Sequence, residues 1–335
     1  MMKDLTQYKY SNILEMLMNS KNKFYNKAAI RWIQKGTKKI QTISFNELTD
    51  SMIAIFYGLN EMGFTKGDRI GIYSDSTPEW IMTDLGIQAL GAVSVPIDAN
   101  LKAGDVISIL KDSKCKALFV DSYEKVEEIT PFLTEISELK LVVVLSPKKR
   151  PTQDSHVMNF KKLLSLGEDQ YHSSNRFNNS VSKIQGEDLT NVFYSSKNTE
   201  EIKGVELTHK DVLSDARLIV QIAKKHNDQI DLWEHHYLSI FPFSYAISKV
   251  MILGSLLMGA TIDILNSFNI VDLTTAFKKF KPTLIGPEIH QKGRLEKYIR
   301  EALSDYSSRK RERIISSILL KKNELQDLNV FKRLN

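Results

Sequence analysis

With 335 residues, 42% of them hydrophobic, the chain can bury a large core, as about two domains or one large α/β domain. Its charged and aromatic fractions, 26% and 9%, are those of an ordinary folded protein. The net charge of +6, from 46 basic and 40 acidic residues, permits contact with an anionic lipid surface or a nucleotide. The basic residues are spread along the chain rather than gathered on one face, which argues against a nucleic-acid binder.

The start, "MMKDLTQYKY", has no apolar h-region, so no secretory signal is expected, and residues 1–27 read as a lead-in with a helix. From Ala28 to Leu145 strands and helices alternate, and residues 28–146 are expected to form a first α/β subdomain. "AAIRWI" and "KIQTIS" predict a hairpin with Lys35-Gly36 at its turn. Ser44 and Glu47 stand in capping-box spacing for a helix whose apolar face holds Leu48, Met52, Ile55 and Leu59, ended by Gly63. "RIGIYS" reads as a buried strand, followed by a helix with Thr77 as cap and Pro78 at its first position. "AVSVPI", "KALFV" and "KLVVVL" read as further strands, separated by helices over 103–111 and 123–136. Cys115, the single cysteine, can form no internal disulfide and is expected to be a half-buried strand residue, which fits a reducing, cytoplasmic compartment. Short apolar runs between helices imply a parallel-rich sheet with helices on both faces.

Residues 147–186 are polar, rich in Ser and Asn, and read as a connection around a short helix near 160–166. A second alternating block, 187–290, follows: strands at 189–194, 237–241, 261–265 and 283–285, helices at 211–225, 247–258 and 272–280. Its most apolar run, "VMILGSLLMGATIDIL", is about 16 residues long, short of the roughly 20 that a spanning helix needs. A buried helix running into a strand accounts for it, so membrane contact is limited to a peripheral kind at the inner face. Residues 291–335 read as a charged helical tail, and "SSRKRERIISSILLKK" as a solvated helix face. His235 and His236 lack the spacing and third ligand of a zinc site and read as surface or loop residues, and no Gly-x-Ser-x-Gly elbow occurs. No metal site is expected in this chain.

One stretch carries chemistry. "VFYSSKNTEEIKGVELTH", Val192 to His209, is a strand, a hydroxyl-rich turn with lysines, then a strand leading to a helix. Backbone N–H groups in such a turn can ring an anion, although no Gly-Lys-Ser/Thr opens a helix as in a Walker loop. Spacing alone leaves a nucleotide site and a plain loop both open. The stretch resembles the signature of AMP-forming acyl-CoA synthetases, Tyr-Thr-Ser-Gly-Thr-Thr-Gly-x-Pro-Lys-Gly-Val-x-Leu-Thr-His. Tyr194, Ser196, Thr199, Lys203, Gly204, Val205, Leu207, Thr208 and His209 match it, and Ser195 and Asn198 are mild changes. "GDRIGIYSDSTPEWIMTDLGIQALGAVSVPIDANL" is similar to the family's N-terminal block, "YLSIFPFSYAISKVMILGSLLMGATI" to its Leu-Pro-Leu-x-His block and "FKKFKPTLIGPE" to its Lys-Pro-Thr block. The resemblance spans about residues 10–300 in the style of long-chain fatty-acid synthetases.

It implies the N-terminal subdomains of the adenylate-forming fold, and a two-step reaction. A fatty acid and ATP with Mg²⁺ would give an acyl-adenylate, and CoA would take the acyl group. The sequence departs from the pattern in several places. Lys197 and Glu200 stand where the loop has glycines, and Ile202 where it has proline. Tyr245 stands where the family usually carries His, as an expected wall of an acyl or nucleotide pocket; a Tyr packed at a strand–helix corner is the alternative. Ser248 and Glu288 replace residues that the family tends to keep as Glu and Arg. The Tyr-Gly-x-Thr-Glu block, the hinge and the small C-terminal domain of the family have no counterpart in residues 1–335. The expectation is a chain with weak or absent ATP binding, inactive alone. Its alternatives are one half of a split synthetase completed by a separate chain, and a non-catalytic acyl- or nucleotide-binding module or scaffold.

Overall fold

The computed structural model describes residues 9–37, 39–146, 156–171, 175–194, 203–226, 230–265, 267–286, 294–304, 307–320 and 325–334. The chain opens with α1 (Ile13–Phe24), β1 (Ala28–Ile33), β2 (Ile40–Ser44) and α2 (Phe45–Glu61). Next come β3 (Arg69–Tyr73), α3 (Pro78–Ala89), β4 (Val93–Ile97), α4 (Ala103–Ser113), β5 (Ala117–Val120), α5 (Tyr123–Ile129) and β6 (Leu141–Val144). The polar stretch adds β7 (Val157–Asn159), α6 (Phe160–Tyr171) and α7 (Arg176–Val181). Then follow β8 (Leu189–Tyr194), β9 (Gly204–Thr208), α8 (His209–His226), β10 (His236–Ser239), α9 (Ala246–Met258), β11 (Thr261–Ile264), α10 (Ile270–Phe280) and β12 (Leu284–Ile285). Helices α11 (Arg294–Ala302), α12 (Ser308–Ile318) and α13 (Asn329–Leu334) complete the described chain.

Among the described residues the strands form two sheets, ordered β12-β10-β11-β1-β2 and β7-β6-β5-β3-β4-β8-β9. All pairings are parallel except the hairpins β1/β2 and β8/β9. The two blocks along the sequence interleave in space: β1 lies beside β11, and β8 lies beside β4. Opposite charges sit directly across the β1/β11 register, where Arg31 donates to Asp263 through Nε at 2.7 Å and Nη2 at 3.0 Å.

Local signals set many element ends. Ser44 and Glu47 form the reciprocal capping box of α2, with Glu47 N donating to Ser44 Oγ at 3.2 Å and Ser44 N to Glu47 Oε2 at 2.7 Å. Gly63 stops that helix at φ +83°, and Gly36 turns the β1/β2 hairpin at φ +78°. Thr77 caps α3 with Pro78 in its first turn. Pro131 ends the regular α-helix at Ile129, and a 3₁₀ segment Thr130–Glu135 replaces the single helix expected over 123–136, since proline removes an N–H and crowds the preceding turn. Strand β7 and helix α7 lie where the sequence read as connection.

Among the described residues the buried apolar side chains form a large cluster around α1, α2, α3, α8 and α9 with strands of both sheets, and two smaller ones, where α4 and α5 cover β3–β6 and where α10–α12 cover β10 and β12. Helix α9 is buried at every residue and runs through Gly259 and Ala260 into β11, and α3 is buried at all positions but Glu79. Each large apolar side chain so buried contributes about 1.5–3 kcal/mol. No helix among the described residues is long and apolar enough to cross a membrane. Cys115 is fully buried just before β5, not half-buried in it, because it packs in one cluster with Leu110 of α4 and Leu118 and Val120 of β5. Burial pushes its thiol up to about 12. The tail is tied down at α8: Asp215 accepts from Asn329 N at 2.7 Å and Val330 N at 2.9 Å, and Arg333 donates to Asp211 and to the Glu206 carbonyl of edge strand β9.

At the start of β1, Lys27 donates to Thr261 Oγ1 at 3.1 Å beside the Arg31 guanidinium. Burial, then Arg31, pulls its pKa from 10.5 down to about 8, against the attraction of Asp263 and Glu234. The folded state therefore holds this proton less tightly than the unfolded chain. The resulting penalty is full and constant below pH 8 and fades as pH rises from about 8 to 10.5. Lys27→Met is expected to raise the melting temperature at pH 7, with an increment that shrinks steadily between pH 8 and pH 10; thermal scans across that range check it.

Candidate functional site

The signature stretch folds as the β8/β9 hairpin, paired with Tyr194 opposite Gly204 at its open end. Ser195, Ser196, Lys197, Asn198, Thr199 and Glu200, the candidate phosphate contacts, lie outside the described residues, as do Ile202 and Glu288. The residues that launch and receive the loop are described. Tyr194 donates through its hydroxyl to Asp112 Oδ2 at 2.5 Å. Burial, followed by that bond and the Asp112 charge, raises the phenol's pKa well above its usual range, so Tyr194 is a neutral donor with a committed partner. Gly204 is a steric requirement: a Cβ there would stand 2.6 Å from Val192 Cγ1 and 3.1 Å from the Tyr194 ring. Lys203 is exposed at the loop's exit.

The later signature residues do structural work. Thr208 caps α8: Asp211 N donates to Thr208 Oγ1 at 3.2 Å, and Thr208 N donates to Asp211 Oδ2 at 2.9 Å. His209, the first residue of α8, is fully buried, and its Nδ1 accepts from Ile13 N–H at 3.3 Å. Burial, then the nearby Lys249 charge, lowers its pKa to about 3, so the imidazole is neutral at physiological pH.

The other candidate residue lies at the β10–α9 corner. Tyr245 is the N-cap residue of α9, with extended backbone at φ −90° and ψ 132°, and its half-buried ring packs on the core. Burial, then Asp98 at the end of β4, raises its phenol pKa. Phe243 N–H donates to Ser76 Oγ at 3.1 Å, fastening this corner to the segment leaving β3. In the parallel β4/β8 pairing Ser94 is partnered with Asn191, so the carboxyl ends of both strands point the same way. Tyr194 and Tyr245 follow strands of different sheets: Tyr194 packs with the α4 and α5 side chains and bonds Asp112, whereas Tyr245 packs against the cluster formed by α3, α8 and α9, so the described side chains do not bring the two tyrosines together.

Where α3, β8 and α9 meet lies a polar cluster that sequence reasoning missed. Asp84 on α3 is paired with Lys249 on α9, both essentially buried. Asp84 Oδ1 also accepts from Asn191 Nδ2 of β8 and from Gln88 Nε2, each at 3.1 Å. Burial pulls the Lys249 pKa down, and the Asp84 carboxylate opposes it. A lone lysine in "SKVMILGSLLMGA" and a lone aspartate in "WIMTDLGIQAL" are the available signal, since a charge inside a wholly apolar helix needs a partner. His235 lies in the short loop before β10, as read, but is buried rather than exposed, and bonds Thr283 Oγ1 at 3.0 Å, because the strand order places the start of β10 next to β12. His236 is half-exposed in β10, its Nδ1 2.7 Å from Arg31 Nη2. No group of three or more metal-ligating side chains occurs among the described residues.

Comparison with known proteins places this arrangement. Long chain acyl-CoA synthetase 7, peroxisomal, of Arabidopsis thaliana is 28% identical over 178 residues, 51% of this chain and 24% of that protein. 4-Coumarate–CoA ligase 1 of Petroselinum crispum is 28% identical over 261 residues, 76% of this chain and 43% of that protein. The crystal structure of a long-chain-fatty-acid-CoA ligase (FadD1) from Archaeoglobus fulgidus superposes with a TM-score of 0.68 at 18% identity, covering 89% of this chain and 53% of that one. The chain thus spans less than half the length of these two curated relatives and about half of the solved one. The fold is that of the N-terminal domain of adenylate-forming enzymes, which as a class use ATP, Mg²⁺ and CoA. The family model described as AMP-binding enzyme matches residues 18–287, and the chain belongs to that family.

Proposed function

We propose that this chain carries the nucleotide-facing half of an acyl-activating fold whose phosphate loop has lost most of its grip on ATP. The carrying observation is the β8/β9 hairpin, which keeps Tyr194, Lys203 and Gly204 at its open end while Lys197 and Glu200 stand where the signature has glycines. A left-handed bend costs a non-glycine residue about 1–2 kcal/mol. A carboxylate held near 4 Å from a phosphate oxygen costs about 1–4 kcal/mol between bulk-water and surface dielectrics. The Lys197 ammonium offsets part of that by attraction, yet a flexible point charge does not replace a ring of backbone N–H groups.

The chemistry of such a fold joins a carboxylic acid to AMP and then to CoA. A long-chain fatty acid is the substrate class we favour, on the resemblance of the 67–101 and 237–262 blocks. ATP–pyrophosphate exchange with palmitate and with 4-coumarate tests this reading. Exchange by the unmodified chain is expected to stay at background with either acid. Robust exchange with either would overturn the weakened-loop account, and robust exchange with 4-coumarate alone would overturn the fatty-acid assignment too.

A further inference from the structure

We propose that Asp84 is the positioning residue of the β8/β9 hairpin: its one carboxylate fixes strand β8 against helices α3 and α9. The inference rests on reading the 194–204 hairpin as the nucleotide-facing element, and it names what holds that element in place. Asp84 Oδ1 accepts from Asn191 Nδ2 at 3.1 Å, and Asn191 lies on β8 three residues before Tyr194. Asp84 Oδ2 accepts from Lys249 Nζ, and Lys249 lies one turn beyond Tyr245 on α9. Gln88, one turn along α3, donates to Asp84 Oδ1 at 3.1 Å and to Asn191 Oδ1 at 3.3 Å, so the link to β8 is doubled. Thr190 Oγ1 donates to the same Asn191 oxygen at 3.0 Å.

The energetics favour a geometric role over a stabilising one. Asp84 and Lys249 are 2% and 1% exposed, and taking two charges out of water costs most of what their attraction returns. Well-packed apolar replacements of both partners are commonly neutral or stabilising in such places. An apolar contact, however, is non-directional. It would let β8 slide against α3 and α9, whereas hydrogen bonds to one fixed carboxylate set its position along two axes. A displacement of Asn191 is transmitted along an extended strand to Tyr194, and so to the first residue of the loop.

Amide hydrogen exchange on the full chain tests this without requiring any nucleotide to bind, so its failure and the failure of the weakened-loop reading can be told apart. Asp84→Leu combined with Lys249→Met removes charge and acceptor together. It is expected to lower the melting temperature only by what the buried Asn191 amide loses with its acceptor, while speeding exchange at residues 191–194 and 204–208 about tenfold or more and leaving the rest of the chain protected. Asp84→Asn combined with Lys249→Met removes the same charges but keeps an amide oxygen for Asn191, and is expected to restore near-native protection of the hairpin. Asn191→Leu leaves the ion pair intact, covers the case in which the first variant fails to fold, and should loosen the hairpin by the same factor. Equal hairpin protection in all variants overturns the proposal. So does a rise spread evenly over the chain, or equal loosening in the Asp84→Leu and Asp84→Asn pairs, since the acceptor oxygen would then not be what holds the strand.

Discussion

Lys249→Met alone is expected to destabilise the chain by about 3–5 kcal/mol, because it strands the Asp84 carboxylate inside the core. The native ammonium sits against Asp84 Oδ2, and the remaining donors, Gln88 and Asn191, are neutral amides on the other oxygen. Amide hydrogen bonds do not neutralise a charge. Urea denaturation midpoints of the variant and the native chain check the size of the loss. A midpoint unchanged from the native chain would mean that the pair is not buried as described.

Gly167→Ala is the second large effect. Helix α6 crosses α2 so closely that a Cβ at Gly167 would lie 1.8 Å from the Ala54 carbonyl oxygen and 2.6 Å from its carbon. The obstacle is helix backbone, which cannot rotate aside like a side chain, so the helices must part along their whole contact. Alanine gains up to about 1 kcal/mol in intrinsic helix preference. Overpacking of this kind costs about 1–3 kcal/mol and sometimes more, so a net loss is expected. A lower thermal midpoint is the expected readout, and a higher one would show that α2 and α6 do not meet here.

What the sequence disclosed, it disclosed over short spans. The Ser44–Glu47 box, the Thr77 cap with Pro78 and the Gly36 turn each act within about four residues, so their chemistry is written where their effect falls. The buried run at 250–265 was legible from length and apolarity, and it folds as α9 entering β11. Long-range partnership was not legible. Nothing near Arg31 announces Asp263 more than 200 residues away, and nothing near His235 announces Thr283. The same reason hid the site's supporting cluster: Asp84, Asn191 and Lys249 come from three separate elements, each looking locally like an isolated polar residue in an apolar run. The candidate site itself was legible only through its resemblance to a known signature. By spacing alone the same residues permitted an ordinary turn.

Calorimetric titration of MgATP into the native chain and into Lys197→Gly combined with Glu200→Gly tests the central claim most directly. Restoring glycine at the two positions where the signature carries it, and removing the Glu200 carboxylate, less the lost attraction of Lys197, predicts affinity at least about tenfold tighter in the double variant. Equal affinity in the two proteins, or tight binding by the native chain, would contradict the account.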